Sequence, residues 1–126
     1  MIYVSGSGAA SNYYFGSVAG NDTSTGAVGN IGIGYNALND VTVGDYNVVL
    51  GYSAGESITS GVSNVIAGHL SGTDLTDGLY NVFLGKSVAA ASTTADYSIG
   101  IGFHSMDLGT VSGEANIGIG IRTLQE

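Results

Sequence analysis

Residues 42–55 read TVGDYNVVLGYSAG. Beneath them in register lie TSGVSNVIAGHLSG (59–72), TDGLYNVFLGKSVA (76–89) and TTADYSIGIGFHSM (93–106). Threonine marks the period: Thr25, Thr42, Thr59, Thr76, Thr93 and Thr110 stand 17 residues apart without a slip. Gly34, Gly51, Gly68, Gly85 and Gly102 keep the same step, and Gly16 and Gly120 extend it by 18 at either end. Asn12, Asn30, Asn47, Asn64, Asn81 and Asn116 form a third column, with Ser98 in the remaining place. Chance could supply one such column in a chain with 22 glycines, but three in a single register mark a repeat architecture.

The core of the unit is Asn-[Ile/Val]-x-[Ile/Leu/Ala]-Gly. Its apolar residues alternate, as in Ile31 and Ile33, Val48 and Leu50, Val82 and Leu84, Ile99 and Ile101, or Ile117 and Ile119. Period two with β-branched residues predicts a strand. A weaker second strand is expected beside the threonines, at Val41 and Val43, then at Ile58 and Leu75. Gly and Asn between these stretches supply the left-handed backbone angles of tight turns. Seventeen residues are too few for a strand and a crossover helix, but they suffice for two short strands and two turns. The unit is therefore one coil of a parallel β-solenoid or β-roll, all-β, with about seven coils stacked at ~4.8 Å and standing roughly 34 Å tall. Residues 1–11 form an N-terminal lead segment, and 12–126 the repeat domain with its last coil incomplete. Stacked Asn30, Asn47, Asn64, Asn81 and Asn116, together with the six threonines, should hydrogen-bond from coil to coil as side-chain ladders do.

Composition narrows the function. The chain of 126 residues is 44% hydrophobic, which no disordered segment tolerates. Two basic against ten acidic residues give a net charge of -8, too few cations to neutralise a phosphate backbone, so nucleic acid is not an expected partner. Proline and cysteine are absent, which removes collagen, disulfides and thiolate metal sites together. No apolar run approaches the ~18 residues of a spanning helix, and no secretory leader is visible at Met1-Ile2-Tyr3-Val4-Ser5.

Burial within one coil falls short on this reading. Three inward apolar side chains supply ~1.5–3 kcal/mol each, against ~1–2 kcal/mol per residue to order the backbone. Neighbouring chains should supply the rest. The middle strand residue is expected to point away from the coil interior, yet it is Val49, Ile66 and Phe83 in the central coils. These three are the candidate subunit interface, around a threefold axis. Directly after the repeat glycine come Tyr35, Tyr52, His69, Lys86 and Phe103, a candidate receptor-contact stripe suited to sugar rings. The alternative for this stripe is simple self-stacking of aromatic residues between coils.

The pattern T-x-G-x-x-N-x-x-[I/L]-G-x-x-[A/S] resembles two related kinds of trimeric fibre. One is the head of trimeric autotransporter adhesins; the other is the repeat region of bacteriophage tail fibres, which TGAVGNIGIGYNAL (25–38) and TVSGEANIGIGIRTL (110–124) especially resemble. The resemblance covers residues 12–126 and implies a homotrimer with a structural and adhesive role and no catalysis. The repeat here is longer than the autotransporter unit, and Ala67, Ala95 and Ser112 depart from the pattern. With no leader before the repeats and no anchor after them, the expectation is a phage tail-fibre shaft or receptor-presenting segment, made in the host cytoplasm and carried on the virion. Its partners would be its own copies, other virion proteins at the ends and a cell-surface glycan or protein, without membrane insertion. A bacterial adhesin head or a capsid decoration protein are the alternatives. The final coil stops at Leu124-Gln125-Glu126, which predicts either further residues or docking at that end.

Several motifs imitate catalytic or metal sites. Gly51-Tyr52-Ser53-Ala54-Gly55 matches a nucleophile elbow but lies in repeat register, where an elbow's strand-turn-helix has no room. His69 and His104 sit one and two places after the repeat glycine, so alternation sends them to opposite sides. The aspartates fall in turns, whose preference explains them, and the calcium-roll motif is missing. Neither an enzyme nor a resident metal or cofactor is expected.

Overall fold

Every repeat places its Asn-apolar-x-apolar segment in a strand three or four residues long. The computed structural model describes residues 2–5, 11–20, 26–107 and 114–125. Seven strands, β2 (Asn12–Phe15), β3 (Ile31–Ile33), β4 (Val48–Leu50), β5 (Val65–Ala67), β6 (Val82–Leu84), β7 (Ile99–Ile101) and β8 (Ile117–Ile119), stack in parallel and in sequence order. Like pairs with like: Val48 faces Val65, Val65 faces Val82 and Val82 faces Ile99. The chain is a β-solenoid whose seven rungs bound six turns. The lead segment supplies β1 (Ile2–Ser5), which pairs antiparallel with β2, Ile2 opposite Phe15. It covers an edge that would otherwise stand open to another strand.

The corner after each strand explains the glycine column. Gly51 has φ of 135°, outside the range of L side chains, and a Cβ there would lie 2.6 Å from the carbonyl oxygen of Gly68 in the next coil. Its N–H donates to Ile33 O (2.8 Å), so the corner is set by the coils on both sides. Three further places in the coil are left-handed whichever residue fills them, as at Ser53, Leu70 and Ser87, at Leu38, Ala89 and Met106, or at Tyr46, Tyr80 and Tyr97. A left-handed non-glycine residue costs ~1–2 kcal/mol. Inter-coil bonds such as Ser53 N–H to Tyr35 O (2.9 Å) hold it there.

The orientation of the strand differs from the sequence expectation. Val49, Ile66 and Phe83 are fully buried inside the chain's own coils, so they are core and not a subunit interface. The flanking residues face out instead: Ile33 is 43% exposed and Val65 42%. Asn fixes this parity. Its amide is enclosed by the coil, and period two then brings the residue two places on to the same side.

The core is completed by an exchange of volume within each coil. Where the middle strand residue is large, the residue six places on is small, as in Tyr14 with Gly20, Val49 with Gly55 and Ile66 with Gly72. Where the middle residue is glycine, its counterpart is large, as in Gly32 with Leu38 and Gly100 with Met106. A Cβ on Gly72 would meet Ile66 Cδ1 at 3.0 Å, and one on Gly100 would meet Val88 Cγ1 at 2.5 Å and Met106 Sδ at 3.1 Å. Val41, Ile58 and Leu75 close the opposite wall, fully buried. Among the described residues no strand forms beside the threonines. There the N–H groups of Thr42, Val43 and Gly44 converge on the single carbonyl of Thr59 at 3.0–3.1 Å, a turn that needs no ladder.

With the middle residues inside, each coil packs its core within the chain itself. The accessible surface is 5860 Å², close to the ~6200 Å² typical of a monomer of this mass. Ile66→Ala should therefore cost about 2–4 kcal/mol in urea unfolding of the isolated chain, where an interface residue would cost the monomer almost nothing. Gly72→Leu should also destabilise, but joined to Ile66→Gly it should recover more than 1 kcal/mol relative to the sum, by the coupling expected of residues in contact. Additivity of the two would refute the volume exchange.

Candidate interaction faces

Three surfaces grow from this coil: the Asn ladder inside, a flat apolar strip outside the strands, and aromatic columns along the margins of that strip. In the ladder, Asn64 Oδ1 accepts from both the backbone N–H (3.0 Å) and Nδ2 (2.9 Å) of Asn81. Asn64 Nδ2 donates to Asn47 Oδ1 at 2.9 Å and to Gly78 O, in the turn of the next coil, at 2.7 Å. Asn30 and Asn47 repeat the pattern, and all four side chains are fully buried. Ser98 accepts the chain's continuation: its N–H donates to Asn81 Oδ1 (2.9 Å), and its Oγ accepts from Asn116 N–H (3.2 Å). The threonine column bonds to main chain: Thr42 Oγ1 donates to Thr59 O and Thr76 Oγ1 to Thr93 O, both at 3.1 Å. Thr25 and Thr110 lie outside the described residues.

The outer side of the strands is uncharged. Its two columns run Ile31, Val48, Val65, Val82, Ile99, Ile117 and Ile33, Leu50, Ala67, Leu84, Ile101, Ile119, each half-buried or exposed. Parallel sheets are almost always covered on both faces, because their strands carry apolar residues to either side. Here one face is the core and the other is open. The carboxylates stand elsewhere: Asp40, Glu56, Asp74 and Asp107 beyond the strand's corner, and Asp45, Asp77, Asp96 and Glu114 in the turns that return to it.

The stripe after the repeat glycine is present on the surface. Tyr35 and Tyr52 are each 50% exposed and stack with ring centroids 5.2 Å apart at 16°. Tyr52 stacks on His69 at 5.3 Å and 20°, and Lys86 Nζ lies 5.5 Å from the Phe103 ring. Ring faces in the upper half of the stripe are thus turned to each other along the solenoid axis, leaving edges and hydroxyls outward. A second column went unnoticed in the sequence: Tyr46, Tyr80 and Tyr97, each just before the ladder residue and more than half exposed. Tyr80 and Tyr97 stack at 5.2 Å and 15°. Three tyrosines at one repeat position are the sequence signal for this column.

The motifs resembling catalytic or metal sites take structural places. Ser53 is buried in a left-handed corner of the repeat. His69 lies in the aromatic stack, while His104 Nδ1 pairs with Asp107 Oδ2. Among the described residues no group of three or more His, Asp or Glu is placed to hold a metal, and no helix is long and apolar enough to cross a membrane. No family model, curated protein or solved structure matches the chain.

Because each ladder amide serves two coils, its loss strands several buried groups at ~1–3 kcal/mol each. Asn64→Ala should cost about 3 kcal/mol or more in chemical unfolding. Asn64→Ser should cost roughly half as much, because a hydroxyl can accept the next N–H as Ser98 does. Equal losses for the two variants would contradict the ladder's role.

Proposed function

We propose that the chain is the shaft, or a receptor-presenting segment, of a homotrimeric fibre of the bacteriophage tail-fibre kind, used in attachment to a host. Its work is mechanical: stacked coils make a stiff rod, and no catalytic part is assigned to any residue. The observation that carries this reading is the uncharged apolar strip on a chain of net charge -8. Carboxylates of two copies repel wherever they face one another, and the strip carries none. With the flanking tyrosines it measures roughly 20 Å by 29 Å, about 600 Å² per copy. That area matches the smaller specific interfaces and the upper end of apolar patches seen on monomers. The sequence resemblance supplies the threefold symmetry and the virion location, and the uniform rung spacing suits a rod.

Sedimentation of the purified chain tests the assembly. The expected species is three times 12.6 kDa. Val65→Glu or Leu50→Glu, each placing a carboxylate on the strip, should yield monomers with an unchanged circular dichroism spectrum. A wild-type monomer at tens of micromolar, or trimers that tolerate both carboxylates, would overturn the reading. Labelled wild-type protein that marks no bacterial cell would remove the attachment role while leaving the assembly intact.

A further inference from the structure

Every side chain of this protein able to carry positive charge falls at two adjacent places of the repeat, directly after the repeat glycine. His69 and Lys86 take the first place, and His104 and Arg122 the second. They occupy four successive coils, so they run about 14 Å along one corner of the solenoid. His69, Lys86 and Arg122 are exposed, and His104 is half-buried. The neighbouring rim is acidic in other coils, with Asp40, Glu56, Asp74 and Asp107, but the coil of Lys86 carries Ala90 and Ala91 there. Phe103, 40% exposed, lies between these cations: Lys86 Nζ is 5.5 Å from its ring, and His104 meets it edge-on at 4.3 Å. Arg122 backbone N–H donates to Phe103 O (2.9 Å), which fixes the next coil against this one. Asp107 occupies His104 Nδ1, while among the described residues neither Lys86 nor Arg122 is held in an ion pair.

We propose that this corner binds the anionic groups of an acidic polysaccharide, Lys86 and Arg122 contacting the charges and Phe103 giving the sugar an apolar floor. The choice of a glycan rests on the attachment reading above; the anion selectivity does not. The net charge of -8 opposes such a partner at long range. At 0.1 M salt the Debye length is ~10 Å, so distant carboxylates are screened while direct contacts persist. Charge-assisted hydrogen bonds then decide the affinity.

Calorimetric titration at 0.1 M NaCl with alginate (carboxylates only), dextran sulfate (sulfates only) and dextran (neutral) tests this. One or both charged polymers should bind, and the responding one names the anion; dextran should not bind. Lys86→Gln and Arg122→Gln should each weaken binding about tenfold, and Phe103→Ala a few-fold, with unchanged circular dichroism. The proposal fails if neither charged polymer binds, if dextran binds equally, or if the Lys86→Gln/Arg122→Gln double variant binds as wild type. Protein that binds a charged polymer but marks no cell keeps the corner and loses the attachment role. Marking of cells without polymer binding removes the corner alone.

Discussion

The hydrogen-bonded column of buried asparagine amides is the constraint on which the rest of this structure depends. Asn64 accepts twice from the next coil and donates both to the previous coil and to a turn carbonyl of the next, and Asn30 and Asn47 do the same. A primary amide is the one neutral side chain of this size with two donors and a two-lone-pair acceptor, so it can serve both directions at once. Buried and satisfied, the column fixes coil height, register and strand parity together. A shift of one residue would leave a polar amide facing water and several partners unpaired inside. The glycine column follows from the same stacking, because like corners lie so close that a Cβ would strike the next carbonyl.

The core then obeys a rule of conserved volume per coil rather than conserved residues. Large and small side chains trade places between the strand and the corner six residues on, keeping each layer filled. Packed interiors tolerate such exchanges when total volume is kept. Ser92 is the imperfect layer: it stands where Val41, Ile58 and Leu75 stand in other coils, and its buried Oγ finds no partner among the described residues.

Much of the fold was legible because exact periodicity reports stacking directly. Thr42, Thr59 and Thr76 could share a column only if the coils had equal length, and the strands of Val48, Val65 and Val82 followed from their alternation. What failed was parity. Period two says that neighbours differ in side, not which side is in. Val49, Ile66 and Phe83 fall outside when flanking pairs such as Val48 and Leu50 are taken as the interior, and alternation alone does not choose between the two. The volume exchange of Val49, Ile66 and Phe83 with Gly55, Gly72 and Ala89 is the sequence sign of a shared interior. The second strand failed for a different reason. Val41, Ile58 and Leu75 are apolar because they close the core, and three N–H groups meeting one threonine carbonyl make a turn that composition cannot distinguish from a short strand. At the surface, the Tyr35 stripe was legible as a column, while the stacking of its rings depends on rotamers and on coil spacing.

Nuclear Overhauser contacts between side-chain amides test the account at its root. Cross-peaks should link the Nδ2 protons of Asn30, Asn47, Asn64 and Asn81 in order, and those protons should exchange slowly with solvent. Amides that exchange freely, or that show no contact between Asn47 and Asn64, would contradict it.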